Sequence, residues 1–345
     1  MNNSSNPYIS FVATSRNDDH GGDMRKRMSI FVNGLIHQCN KYKLPCELIM
    51  VDWNSPDENQ LLDKVLPSVT EEDFLTIRYI VVPKEIHDTY DYSDRLGLYQ
   101  MIAKNVGIRR ANAEFVLCTN VDLLFSNEMF ERFAKRDLEK GVFYRANRAD
   151  IPNTINEGAT VEEQLIFCKN NIEKRLGKSS KAPLLNNTER NILRQRLFIP
   201  FYPILSVVKR VLLGKVRSVI HSLDFDACGD FTMMSKEDWV KMEGYAELEM
   251  YSLHIDSMGV FEAAARGIQQ EILPAAACTY HIAHDGGWEF ADPIEKLHFY
   301  SKRPSLEWWS VWVAGSKIVR EKSTFGMNDP NWGLNDVELK EITVG

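Results

Sequence analysis

Short apolar runs and stretches of helical spacing alternate through the first part of the chain. Residues 8–14 form an apolar run bounded by polar residues, which predicts a strand, and the polar loop 15–23 follows it. Between 24 and 42 the apolar residues Met28, Phe31, Val32, Leu35 and Ile36 recur at helical spacing. A second strand is predicted over 46–55, ending in Asp52, a third over 76–83, and a helix over 94–111. The run 114–125 reads as a fourth strand that stops at Asn120-Val121-Asp122, with a helix over 130–138 and a strand over 142–144 beyond it. Strand–helix alternation of this kind predicts an α/β fold with a mostly parallel sheet, helices on both faces and right-handed connections.

From about 149 to 223 the alternation stops, which reads as a helical insertion. Its part from 193 to 220 carries Arg194, Arg196, Lys209, Arg210, Lys215 and Arg217, contains no acid, and interleaves them with aliphatic and aromatic residues. That pattern suits either a segment lying on an anionic membrane surface or a helical hairpin packed on the domain or on a second subunit. The core pattern resumes over 225–239, followed by a helix over 253–267, a short strand at 270–273 and the run 278–288 with His281 and His284. A helix over 306–322 carries Trp308, Trp309 and Trp312, and a polar loop over 325–335 contains Trp332. The expected division is 1–148, 149–224, 225–300 and 301–345.

Composition narrows the function classes. With 44% hydrophobic residues the 345-residue chain can bury a sizeable core, and a net charge of -7 gives no global field that would recruit nucleic acid. Six cysteines without close pairing, no signal-like start and no long apolar span suggest a protein of the cytosol, on or off a membrane surface. No Gly-x-Gly-x-x-Gly follows the first strand and no Gly-x-x-x-x-Gly-Lys-Ser/Thr occurs, which disfavours dinucleotide-binding domains and P-loop ATPases.

An acid at the carboxyl end of a buried strand stands where open α/β sheets bind ligands. Asp122 and Asp52 both have that place, although each could also serve as a helix cap. The pair His281 and His284 adds imidazoles at a late strand end, a common source of metal ligands.

Lys104-Asn105-Val106-Gly107 followed by a strand and Asn120-Val121-Asp122 resembles the metal-site region of GT-A glycosyltransferases, particularly family 2, where Arg-Asn-x-Gly precedes Asp-x-Asp. Val51-Asp52 with Ser55, the stretch Phe225 to Tyr245 and the helix carrying Asp256 extend the likeness over residues 8–144 and 225–288. The sequence departs from the pattern at Asn120, which replaces the first acid, and at Ile255-Asp256, which offers one carboxylate instead of two.

The resemblance implies a nucleotide-sugar donor, a UDP-sugar first, and a glycan or lipid-linked acceptor. It implies Asp256 as the catalytic base and a divalent ion held by Asp122 with His284 first and His281 second. Mn²⁺ or Mg²⁺ would be that ion, a histidine favouring Mn²⁺. Asp52 would read the base, and Arg16, Asn17, Lys104, Asn105 and Asn120 would lie on the donor side. Two alternatives stay open: a sugar-phosphate nucleotidyltransferase, which normally has a Gly-x-Gly-Thr-Arg loop that this chain lacks, and a binding module without activity.

Overall fold

The computed structural model describes residues 6–178, 220–284, 293–326 and 328–345. The alternation is present as β1 (Ile9–Ser15), α1 (Met24–Tyr42), β2 (Cys46–Trp53), β3 (Leu75–Val82), one-turn α2 (Lys84–His87), α3 (Gln100–Arg110) and β4 (Phe115–Thr119). Next come β5 (Leu123–Phe125), α4 (Asn127–Ala134), β6 (Val142–Arg145), β7 (Asn147–Ile151), α5 (Val161–Asn170) and β8 (Lys174–Leu176). The remainder gives β9 (Phe231–Ser235), α6 (Lys236–Met242), α7 (Ile255–Ala265), β10 (Gln269–Ile272), β11 (Cys278–Ile282), α8 (Pro293–Ser301), α9 (Trp308–Glu321) and β12 (Lys340–Val344).

The main sheet has the order β10-β6-β9-β4-β1-β2-β3-β12. Strands β4, β1, β2 and β3 are mutually parallel, while β9 is antiparallel to both β4 and β6. β10 runs parallel to β6, so only β9 and the edge strand β12 oppose the common direction. A smaller sheet, β5-β11-β7-β8, lies alongside.

Both faces are covered at the centre of the main sheet, which is why β1, β2, β4 and β9 are buried along their whole length, whereas β3 and the edge strands β10 and β12 alternate or are largely exposed. Phe11 and Ala13 of β1 pack with Phe31 and Leu35 of α1 and with Phe130 of α4. Val12, pointing the other way, belongs to a second core cluster, which also holds Val106 of α3, Trp239 of α6 and Phe261 of α7. Gly107 lets α3 approach β1: a Cβ there would stand 2.5 Å from Val12 Cγ1. Gly107→Ala is therefore expected to destabilise by about 1–3 kcal/mol through overpacking, measured as a lower urea midpoint at unchanged slope.

Four boundaries differ from the sequence expectation. The run 114–125 is two strands in two sheets, because the chain crosses over at 120–122. Helix α3 begins at Gln100, after Gly97 and Leu98, and α4 begins at Asn127 because Ser126 caps it, accepting from Met129 N. Position 149 falls inside β7, so β7 and β8 extend the folded core. The basic-apolar segment 193–220 lies outside the described residues except for Ile220, which is buried. Among the described residues no helix is long and apolar enough to cross a membrane, and all six cysteines are free and buried.

Candidate active site

The crossover at 120–122 builds the site. β4 ends at Thr119 beside β1, and the chain then enters β5, which pairs antiparallel with β11 so that Leu123 faces His281. Ile282 N donates to Asp122 O at 3.0 Å and fixes the register. On the other side of β11 runs β7, with Asp150 opposite His281. Two strand pairings thus bring Asp122, His281 and Asp150 side by side at the carboxyl edge of the parallel strands.

Asp122 Oδ2 lies 3.1 Å from His284 Nε2, 3.7 Å from His281 Nε2 and 3.6 Å from the Arg27 guanidinium. Burial alone would raise the Asp122 carboxyl, but the two histidines outweigh it and hold it well below the usual carboxylate range. Burial likewise opposes charge on His281, yet Asp122 and Asp150 overcome it and raise the imidazole to about 9.

One ligand atom from each of Asp122, His281 and His284 lies within 4.8 Å of the others. Ligands about 2.0–2.2 Å from a common ion stand roughly 3–3.5 Å apart, so the set needs only small adjustment to hold one. Asp122 Oδ1 is buried without a hydrogen-bond partner among the described residues, an acceptor that a cation would satisfy. Two imidazole nitrogens and a carboxylate oxygen suit a borderline ion better than Mg²⁺, which prefers oxygen.

These residues line a cavity of about 690 Å³, with Arg16, Asn120, Arg148, Asp230 and Asp256 on its other walls. Asp256 stands in the first turn of α7, where its Oδ1 accepts from Ser257 N at 2.8 Å. A Cβ on Gly229 would come within 3.0 Å of Asp256 Oδ2, so glycine there leaves the carboxylate its room. Trp308, alone of the four late tryptophans singled out in the sequence, lines the cavity, its ring centroid 5.3 Å from that of His254. Trp312 and Trp332 pack into the core, and Trp309 is exposed.

Other candidate residues stand outside the cavity. Asp52 is buried, and its oxygens accept from Ser55 Oγ and from Leu62 N at 2.8 Å. Asn17 ties the first loop to the second, its N–H donating to Ser55 Oγ at 2.7 Å and its amide to Gln60 O at 2.6 Å. Asn105 brackets Tyr245, accepting from its N–H and donating to its carbonyl, each at 2.8 Å. Lys104, also fully buried, donates to Asn120 Oδ1 at 2.9 Å and to Gly229 O at 2.7 Å. Burial lowers its ammonium, against the pull of nearby carboxylates including Asp230 and Asp256. These four hold up the walls of the cavity; Arg16 and Asn120 reach it.

Asn120 has a definite reason to be an amide. Its Oδ1 accepts from Lys104 and Gln100, and its Nδ2 donates to Asp230 Oδ1 at 2.7 Å. A carboxylate at 120 would face the Asp230 carboxylate with no proton between them. We expect Asn120→Asp to destabilise by roughly 1–3 kcal/mol, and Asp230→Asn in the same chain to restore most of it. A double-mutant cycle in urea measures the coupling.

Sequence reading passed over four residues here. Arg27 sits on the apolar stripe of α1 between Met24 and Met28, an anomaly that could have marked it. Arg148 and Asp150 alternate in a short buried strand, and Asp230 follows Gly229; no local signal gives their partners.

Neither protein-family models nor curated proteins provide a match to this sequence. Among solved structures, the chain is similar to S. aureus TarS 1-349, with a TM-score of 0.42 and 14% identity over 80% of this chain and 60% of that one. It is also similar to S. aureus TarS 1-349 in complex with UDP-GlcNAc, with a TM-score of 0.45 and 13% identity over 91% of this chain and 71% of that one. The chain thus spans less than two thirds of the first neighbour's length.

Proposed function

We propose that this chain is a metal-assisted glycosyltransferase that moves a sugar from a nucleotide-sugar, a UDP-sugar first, to a hydroxyl of a glycan or lipid-linked acceptor. The observation that carries the reading is the Asp122, His281 and His284 cluster, set at the carboxyl ends of parallel strands and sharing one cavity with Asp256. Sugar transfer needs charge compensation for a departing diphosphate and a base for the incoming hydroxyl, and the cavity offers both.

Asp122, His281 and His284 would hold the ion, Mn²⁺ in preference to Mg²⁺. When bound, a divalent ion supplies Lewis acidity toward phosphate oxygens. Arg16, which also lines the cavity and pairs with Asp18 at 3.0 Å, adds a guanidinium for an anionic leaving group, whereas Arg148 is already engaged by Asp150 and Asp230. Asp256 takes the proton of the acceptor hydroxyl as that oxygen attacks the anomeric carbon and the nucleotide leaves. A base on the acceptor side favours single displacement with inversion.

The test is nucleotide release from UDP-, GDP-, CMP- and dTDP-sugars by the full chain in Mn²⁺ or in EDTA. Release from one donor that requires Mn²⁺ supports the reading and names the donor. No release from any donor, together with no nucleotide-induced thermal shift, would discard it in favour of a binding module.

A further inference from the structure

We propose that Asp150 is a positioning residue of the cluster: it fixes the orientation and tautomer of His281 so that Nε2 presents its lone pair beside Asp122. The inference rests on the metal reading of that cluster. Strand register makes the arrangement. Asp150 of β7 lies opposite His281 of β11, and its Oδ1 stands 3.2 Å from the buried His281 Nδ1, within ion-pair reach though off hydrogen-bond alignment, so a ring rotation on metal binding would close the bond, while His281 Nε2 faces Asp122. An imidazole that gives its Nδ1 proton to a carboxylate keeps Nε2 as the ligand atom, and such outer partners orient metal-bound histidines.

Asp150 is itself held in place. Arg148, two residues earlier on the same face of β7, donates through Nε to Asp150 Oδ1 at 2.5 Å, and its other branch reaches Asp230 Oδ2 at 3.2 Å. Asp230 in turn accepts from Asn120. All three charged groups are buried, Asp150 at 6% exposure, and Asp150 does not line the cavity, so it acts through His281 and not on substrate. Arg148 compensates the charge that a carboxylate behind the histidine brings into the interior.

Mn²⁺ titration followed by electron paramagnetic resonance tests this on the full chain, with Asp150→Leu and Asp150→Asn beside the unaltered protein. Asp150→Leu should weaken Mn²⁺ binding by about 10–100-fold. Asp150→Asn keeps an oxygen that accepts from Nδ1–H and should recover most of the affinity. With Zn²⁺ as a diamagnetic probe, ¹⁵N-histidine spectra should show metal on Nε2 and the proton on Nδ1 of His281 in the unaltered chain and in Asp150→Asn. That signature should be lost in Asp150→Leu.

Mn²⁺ affinity of Asp150→Leu within twofold of the unaltered chain would overturn the inference while leaving the metal reading intact. So would an unchanged His281 signature in that variant. Binding of neither Mn²⁺ nor Zn²⁺ by the unaltered chain would overturn both. A general packing defect would lower the unfolding midpoint of both variants in EDTA and weaken Mn²⁺ binding equally in each, a pattern that would also overturn the assignment.

Discussion

Asp122→Ala should abolish Mn²⁺-dependent nucleotide release and weaken Mn²⁺ binding by more than the roughly 10–100-fold that loss of an outer partner costs. Asp122 is the only carboxylate in the candidate metal cluster among the described residues, and its second oxygen has no other partner there. The same change acts on the fold. Arg27 is buried and loses an acid 3.6 Å away but keeps His20 O and Gly22 O as acceptors, so the cost should stay below the roughly 3–5 kcal/mol of an uncompensated buried charge. Urea unfolding in EDTA measures this term apart from activity.

The pH dependence carries a sign that can be checked in the same experiment. In the metal-free protein His281 is raised to about 9, burial opposing and Asp122 with Asp150 prevailing. Its contribution to stability is therefore fully present below its ordinary value of about 6.5 and lost as pH rises through 9. Asp122, held low by the histidines, contributes stability above its ordinary range that is lost on acidification. Asp122→Ala should flatten the decline on the alkaline side. A variant that still releases nucleotide with Mn²⁺ at the unaltered rate would sink the metal assignment.

Asp256→Asn should lower the rate of sugar transfer by about 10²- to 10⁴-fold, the usual contribution of a positioned base. Asparagine keeps the shape and the acceptor oxygen that bonds Ser257 N, so α7 and the Gly229 contact should survive. Mn²⁺ affinity and the nucleotide-induced thermal shift should therefore stay as they are while turnover falls. This split separates Asp256 from Asp122, whose loss removes metal binding as well. Transfer by Asp256→Asn within about tenfold of the unaltered chain would remove Asp256 from the base role, and the expectation of inversion with it.

Much of the fold can be read from the chain alone because its signals are local. Apolar runs such as residues 46–51 have no polar alternation since both faces of the sheet are covered, and the helical spacing of Met28, Phe31, Val32 and Leu35 is the imprint of one buried face. The places of Asp122, His281 and Asp256 at element ends follow from the same patterns.

What the chain alone does not carry is partnership across strands. That His281 stands between Asp122 and Asp150 depends on the registers of β5, β7 and β11, which join residues far apart in sequence. Asn120 in place of an acid looks like a defect until Asp230 is seen beside it, and no local pattern announces the bonds of Asp52 to Leu62 N or of Asn105 to Tyr245. Local propensity determines which element a residue joins. Only the packing of those elements decides which polar groups are spent on the scaffold and which face the cavity, because most buried donors and acceptors are paired and the exceptions, such as Asp122 Oδ1, stand out.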